Sequence, residues 1–196
     1  SYRLRVKVNP DNELTYGIRV PNVPTASELY VNDHLLAGDG QPAKNKQQYT
    51  ARSTPYTAIF KAETGEIDIV VQVANYDNSK RGGLVGSIKF GSQHAVEKEV
   101  GFSVNMQLVV VVVLMIHALY ALILYVIGNR DKSLIYFFML IVSTVVMTLL
   151  DDDKLLMSWL PIINYEWSIK LILLSFIGVG AFLLQFSKSL LPEHAE

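Results

Sequence analysis

The sequence predicts an all-β jelly-roll or β-sandwich domain outside a membrane, followed by transmembrane α-helices. The two halves differ in charge: residues 1–104 contain 12 Lys or Arg and 11 Asp or Glu, whereas residues 105–196 contain 5 and 7. Short alternating runs separated by turn residues fill the first half, and three long uncharged runs fill the second. We therefore divide the chain into an extracellular domain over residues 1–104 and a transmembrane region over residues 105–196.

The first half contains short runs in which apolar and polar residues alternate, as in a half-buried strand. Tyr2–Val8 is the clearest, because Leu4, Val6 and Val8 fall on one face. The other predicted strands are Leu14–Val20, Glu28–Val31, Ala58–Lys61, Glu66–Val73 and Leu84–Phe90. Asn32-Asp33 is a hairpin-turn signal. Many short strands with turn signals between them are typical of a sandwich or jelly roll. No amphipathic helix is expected here, and residues 94–105 are expected to form a short connection to the first span.

The second half contains three segments long enough to cross a bilayer. Residues 100–129, 133–150 and 171–187 contain no Asp, Glu, Lys or Arg over 30, 18 and 17 residues. A helix needs roughly 20 apolar residues to cross the hydrocarbon core, where no water satisfies a bare backbone. We predict spans at about 106–128, 133–150 and 169–187.

The charges that flank the spans predict their orientation. Arg130 and Lys132 follow the first span, Lys188 follows the third, and the connection that begins with Asp151–Asp153 is acidic. The positive-inside rule then places the C-terminus in the cytoplasm and the β domain outside. We expect a multi-pass protein of a bacterial plasma membrane, and we interpret the chain as a piece of a longer protein.

Composition and motifs exclude several classes of activity. The chain has no cysteine, which excludes disulfides and Cys-based zinc sites. Its formal net charge of −1 gives no indication of nucleic-acid binding. The four scattered histidines form no catalytic motif, and Asp151–Asp153 is expected to be a solvated charge run rather than a Ca²⁺ site. The sequence predicts no catalytic residue, metal site or cofactor, so this chain is not expected to be an enzyme.

The loops of the β domain contain residues suited to a small polar ligand or a saccharide, which needs planar hydrogen-bonding groups beside an aromatic ring. The candidate ligand-binding residues are Tyr49, Arg52, Tyr56, Asn75, Tyr76, Asp77 and Arg81. Structural roles compete with this interpretation. Tyr49 and Tyr56 could close the sandwich edge, and Asn75 could brace its loop by Asx bonding.

Two further features lie within the spans, a histidine and a group of small residues. His117 falls in the middle of the first span and is expected to be a neutral, hydrogen-bonded packing residue, with a role as a switch as the alternative. Ser175, Gly178, Gly180 and Ala181 give the third span small residues for close helix contact.

The order of several motifs resembles a known family. Tyr16–Pro21, Ala26–Asp33, Gly65–Tyr76 and Gly82–Leu84 resemble the extracellular jelly-roll domain of bacterial seven-transmembrane receptors with diverse intracellular signalling modules. Ser133–Phe138, Leu160-Pro161, Lys170-Leu171 and Leu190–Glu193 resemble the first helices and first outer loop of that family. The resemblance implies seven helices, a domain similar to the sugar-binding domains of β-galactosidases, and a cytoplasmic output module such as a histidine kinase or a cyclic-nucleotide enzyme.

The leading interpretation is therefore the sensing and transmembrane portion of a signal-transduction receptor, such as one of a two-component system. Its expected partners are the ligand, the lipid bilayer, the remaining transmembrane helices and the output domain of the parent protein, and pairing of two copies stays open. The alternative is a membrane-anchored carbohydrate-binding or adhesion module without signalling. Three spans argue against it, because an anchor needs only one.

Overall fold

The computed structural model of the chain describes residues 1–9, 15–62, 65–77, 82–128 and 130–191. The chain divides into two compact units, Ser1–Ser103 and Val104–Glu196. The first unit contains all of the described strands, and the second contains most of the helical residues. Each unit is considered by itself below.

The first unit is a sandwich of two antiparallel sheets, which confirms the predicted fold class. Its strands are β1 (Tyr2–Lys7), β2 (Thr15–Val20), β3 (Ala26–Val31), β4 (His34–Asp39), β5 (Tyr56–Lys61), β6 (Glu66–Ala74) and β7 (Lys89–Ser92). One sheet has the order β1-β6-β3-β4 and the other has the order β5-β2-β7. Apart from the β3–β4 hairpin, successive strands alternate between the sheets, as in a jelly roll.

Two strands differ from the sequence prediction. β4 was not predicted, because Leu35 and Leu36 are adjacent and both exposed, so the strand shows no alternation. Its hairpin does follow the predicted turn, since Asn32 and Asp33 have φ angles of 49° and 65°, as a two-residue hairpin turn requires. The last strand was predicted too early, because Leu84 and Ile88 pack against the core without joining a sheet.

The core lies between the sheets and consists of alternate residues from facing strands. Ile18 of β2, Leu29 of β3 and Ile67 of β6 are fully buried. Burial of such a side chain contributes about 1.5–3 kcal/mol, so these positions provide much of the driving force for folding. β2, β3 and β6 are the interior strands of their sheets, so each of these side chains lies between two neighbouring strands.

Residues 94–105, expected as a short connection, are helical. Helix α1 (Gln93–Ile127) begins directly after β7. Val96, Val100, Val104 and Leu108 recur at every fourth position and are buried or half-buried, whereas most positions between them are exposed. This spacing places them on one helix face, and it is the signal that the sequence interpretation missed.

The start of α1 packs directly on the sandwich. Val96 is 4% exposed and lies over Gly17 of β2, where an added Cβ would lie 3.0 Å from the Cβ of Val96. Lys89 and Glu99 form an exposed ion pair beside this contact. The absence of a side chain at position 17 therefore allows the helix to approach the sheet closely.

The second unit contains the rest of α1 and three further helices, α2 (Lys132–Leu150), α3 (Leu155–Trp159) and α4 (Tyr165–Leu190). Asp131 caps α2 by accepting a 2.9 Å hydrogen bond from the backbone N–H of Ser133. Asn164 caps α4 in the same way through the N–H of Trp167, also at 2.9 Å. Among the described residues, α1, α2 and α4 are long and apolar enough to cross a membrane.

Small residues bring α2 and α4 together. An added Cβ at Gly178 would lie 2.7 Å from the Oγ of Ser143, and Ser175 is buried in the same interface. The rings of Phe137 and Phe186 pack with centroids 5.3 Å apart. Gly180, in contrast, has no atom within 4 Å of the position where its Cβ would lie, so only part of the small-residue run contacts α2.

Helix α1 is joined to the end of α2 by a side-chain cap. The Nε2 atom of Gln107 donates to the backbone carbonyls of Thr148 and Asp151, the second at 3.2 Å. Thr148 lies in the last turn of α2 and Asp151 is its C-cap, and their carbonyls also accept the backbone N–H groups of Asp151 at 3.3 Å and of Lys154 at 2.9 Å. Val111, Ile141 and Val145 continue the contact along the two helices.

Candidate functional site

The predicted ligand-binding residues come together at one end of the sandwich. The strand register places the start of β5, the end of β6 and the end of β4 at this end, and the β7–α1 junction at the other end. The hydroxyl of Tyr56 lies 3.1 Å from the Oγ of Ser27, which joins the two sheets here. We call this part of the sandwich the loop end. Arg81 lies outside the described residues, so its place is not established.

Most of these side chains hold the loop between β4 and β5 in place. Tyr49 meets Tyr76 edge to face at 5.1 Å, and the hydroxyl of Tyr76 donates to the backbone carbonyl of Lys44. Asn75 braces its own turn by accepting a 3.2 Å hydrogen bond from the N–H of Asp77. The ring of Tyr76 is still 40% exposed, and the side chain of Asp77 is exposed, so both keep surface for a ligand.

A buried carboxylate organises the rest of the loop. Asp39, which is 9% exposed, accepts from the backbone N–H of Thr54 and, at 2.7 Å, from its hydroxyl. The Nε atom of Arg52 lies 3.3 Å from the Oδ1 atom of the same carboxylate, while half of the arginine side chain stays exposed. Asp39 and Thr54 were not predicted as part of this region. A buried Asp at the end of an edge strand leaves no local sequence pattern that would identify it.

Burial also acts on Tyr56. Partial removal of the phenol from water raises its pKa, and this outweighs the opposing effect of the hydrogen bond with Ser27. The hydroxyl is therefore neutral over the physiological range and points into the sandwich. Tyr56 supports the loop end from within, whereas Tyr76, Asp77 and Arg52 form its outer surface.

The membrane unit contains the remaining predicted residue. The Nδ1 atom of His117 lies 2.7 Å from the carbonyl oxygen of Val113 one turn earlier, and the side chain is exposed on α1. Because a carbonyl oxygen can only accept, Nδ1 is the donor in this contact. The predicted hydrogen bond is thus present, but it is made within the helix.

The described residues include His, Asp and Glu side chains, which are ligand groups that bind metal ions. Among the described ranges, no group of three His, Asp or Glu side chains converges in a way that could hold an ion. The two units therefore present a β-sandwich with an aromatic and polar loop end, and a set of apolar helices that could span a bilayer. These features define a protein with a β-sandwich and helices able to cross a membrane.

The comparison with protein families agrees with this class. Residues 104–195 match the family model described as 7TM diverse intracellular signalling. The helical region of the chain is thus similar to this family, which implies a transmembrane sensing region of a signalling receptor. No curated protein and no solved structure matches the chain.

Proposed function

We propose that the sandwich lies outside a bacterial plasma membrane, binds a small polar ligand or saccharide at its loop end, and controls a cytoplasmic output module through the membrane helices. The output would be a histidine kinase or a cyclic-nucleotide enzyme carried by the parent protein. The C-terminus would be cytoplasmic, as the basic residues after the first and third spans indicate.

The continuity of α1 supports this proposal most directly. Val96 in its second turn is buried against Gly17 of β2, and the same helix continues to Ile127. At 1.5 Å per residue, its 35 residues extend about 50 Å, which exceeds the roughly 30 Å hydrocarbon core of a bilayer. A change in the sandwich that shifts Val96 would therefore shift or turn the same helix within the bilayer.

The energy required limits the kind of ligand. Switching a receptor from mostly inactive to mostly active takes a differential binding energy of about 5.5 kcal/mol. One stacked tyrosine and a few hydrogen bonds would provide about 1–3 kcal/mol. We therefore infer that a larger ligand, or pairing of two copies, contributes the remainder.

The coupling is tested by two matched glycine substitutions in the parent receptor. Gly17→Ala adds a Cβ that must displace Val96, whereas Gly101→Ala adds one to α1 where no atom lies within 4 Å. We expect Gly17→Ala to change the basal output severalfold and Gly101→Ala to leave it near the wild-type value. Equal output from both variants at equal membrane abundance would contradict coupling through this contact.

The ligand site is tested separately with the whole chain in lipid nanodiscs on a glycan array. Tyr76→Ala and Arg81→Ala should weaken binding about tenfold or more, because each removes a ring face or a charged donor worth about 1–3 kcal/mol. Tyr30→Ala, at a tyrosine bonded to Glu28 on β3, serves as the control. Saccharide binding that survives both loop substitutions would remove the proposed site, and absence of glycan binding would favour a peptide ligand.

A further inference from the structure

The two lateral sides of the sandwich are built differently. On one side β4 and β5 lie next to each other, and the braced loop between them covers the boundary of the sheets. On the other side, β1 pairs only with β6, and β7 pairs only with β2. A cavity of about 300 Å³ opens between these two edge strands. We call it the edge groove.

The edge groove is lined almost entirely by apolar side chains. They are Leu4, Ile69, Val71, Leu84, Ile88 and Phe90. Ile69 and Val71 are buried core residues, so the groove is a lateral extension of the core. Leu4 is 55% exposed although it lies on the inner face of β1, which is an edge strand of its sheet. Within the part of the chain that the structure describes, some of the interior of the sandwich is thus uncovered.

A polar cavity adjoins the edge groove at Tyr2, which lines both. Its volume is about 420 Å³, and Asn75, Gly82 and Gly83 form much of its wall. Gly83 has a φ of 87°, and an added Cβ would collide with the hydroxyl of Tyr2. Only glycine fits here without strain, so the backbone closely approaches the ring that separates the two cavities.

The groove contains no unpaired charge among its lining residues. Arg3 borders it, but strand alternation directs its guanidinium to the outer face of β1, where it forms an ion pair with Asp68. A charged ligand would therefore lose its hydration without gaining a partner. An uncharged molecule matches this lining.

We propose that the edge groove binds a small uncharged amphipathic molecule. An apolar ring or short chain fills the space between β1 and β7, and a hydroxyl or amide head extends past Tyr2 toward Asn75. The combined volume lies within the usual range for small-molecule sites, which are mostly apolar with a few oriented polar groups. The lining of the edge groove includes no loop-end residue, and the adjoining polar cavity shares Asn75 with the loop end.

A cysteine placed in the groove tests the proposal, since the chain contains no cysteine of its own. Ser87→Cys reports occupancy of the groove, and Gln47→Cys in the exposed loop of the closed side is the control. Each variant of the whole chain, in nanodiscs, is alkylated with and without 2-phenylethanol. We expect saturating 2-phenylethanol to slow alkylation at position 87 by about three- to tenfold, because ligands in such sites lose about 70–90% of their exposed surface.

Two further comparisons test which kind of molecule the edge groove binds and whether it binds there. Phenylacetate has the same ring but carries a charge, and glucose has hydroxyls without an apolar body, so neither should protect position 87. Leu84→Trp and Leu4→Trp fill the groove from opposite walls and should abolish protection, whereas Leu35→Trp on β4 should not. The proposal is overturned by equal slowing at both cysteines, by protection that persists in both groove-filling variants, by protection with glucose, or by no protection at all.

Discussion

The sandwich and the membrane helices differ in how many large apolar side chains they leave exposed. In the sandwich the fully buried residues include Ile18, Leu29 and Ile67, all large and apolar. The second unit also buries Leu150 and Met157, together with small residues such as Ser168 and Ser175. Many of its large apolar side chains are nevertheless exposed, including Leu173, Leu174 and Ile177 on α4. The larger apolar side chains are thus inside one unit and outside much of the other.

This difference shows which solvent each unit is built for. In water, burial of large apolar side chains drives folding, so they collect inside. In a bilayer the lipid is as apolar as leucine, so helices associate through close packing of small residues and through hydrogen bonds. The contact of Gly178 with Ser143 and the cap made by Gln107 are contacts of the second kind. The comparison predicts how each unit responds to substitution.

The largest effect is expected from the helical turns that complete the sandwich. A fragment of residues 1–103 should fold as a soluble β protein, and a fragment of residues 1–92 should be less stable by about 1.5–3 kcal/mol or more, because it lacks the buried Val96. Urea denaturation followed by circular dichroism measures the difference.

Val96→Ala in the longer fragment is the matched control and should lose part of the same free energy. Equal stability of the two fragments would show that the sandwich does not need α1. A predominantly helical spectrum of the longer fragment would contradict the all-β assignment itself.

A second test compares two glycines on α4. Gly178→Ala forces α2 and α4 apart and should cost about 1–3 kcal/mol, as overpacking of a closely packed contact does, whereas Gly180→Ala has free space for its Cβ. Cysteines at positions 137 and 186, where the two rings pack, would report the separation by their rate of disulfide formation. Equal rates in both variants would mean that close approach at Gly178 does not hold these helices together.

The smallest effect concerns the pH dependence of the sandwich. Burial raises the pKa of Tyr56 above that of an exposed tyrosine. As the pH rises, the unfolded chain therefore loses the Tyr56 proton before the folded chain does. The stability that comes from this difference in pKa is complete below pH about 10 and is lost as the pH rises through the pKa of Tyr56 in the folded chain. Tyr56→Phe should lower stability at pH 8 by about 0.5–1.5 kcal/mol through loss of the bond to Ser27.

The same variant should then lose less stability than the wild type between pH 8 and pH 11. Ser27→Ala removes the hydrogen bond but keeps the phenol, so it should retain the alkaline sensitivity. Urea midpoints of the 1–103 fragment at both pH values provide the comparison. If Tyr56→Phe and the wild type lost the same stability between pH 8 and pH 11, the pH dependence would come from other tyrosines.

The sequence was most informative where a pattern is local. The two-residue turn at Asn32 and Asp33, the uncharged spans and the Asx turn at Asn75 were all predicted from neighbouring residues, and the structure contains them. The helical start of α1 was missed because its early turns are charged and only Val96 and Val100 indicate its inner face. The roles of Asp39 and Tyr2 depend on strand pairing between distant segments, which one sequence does not encode locally.

Because α1 is one continuous helix, the direction in which a side chain points around the helix axis, its angular phase, is fixed from one end of the helix to the other. Each residue of an α-helix advances the direction of its side chains by 100° and the axis by 1.5 Å. One alanine inserted beside Gly101, where α1 has free space, would turn every later residue of the helix by about 100° relative to Val96. An insertion of seven residues would lengthen the helix by about 10 Å yet leave the phase within about 20° of its original value. A series of such insertions would therefore separate rotation from length in whatever signal the helix carries.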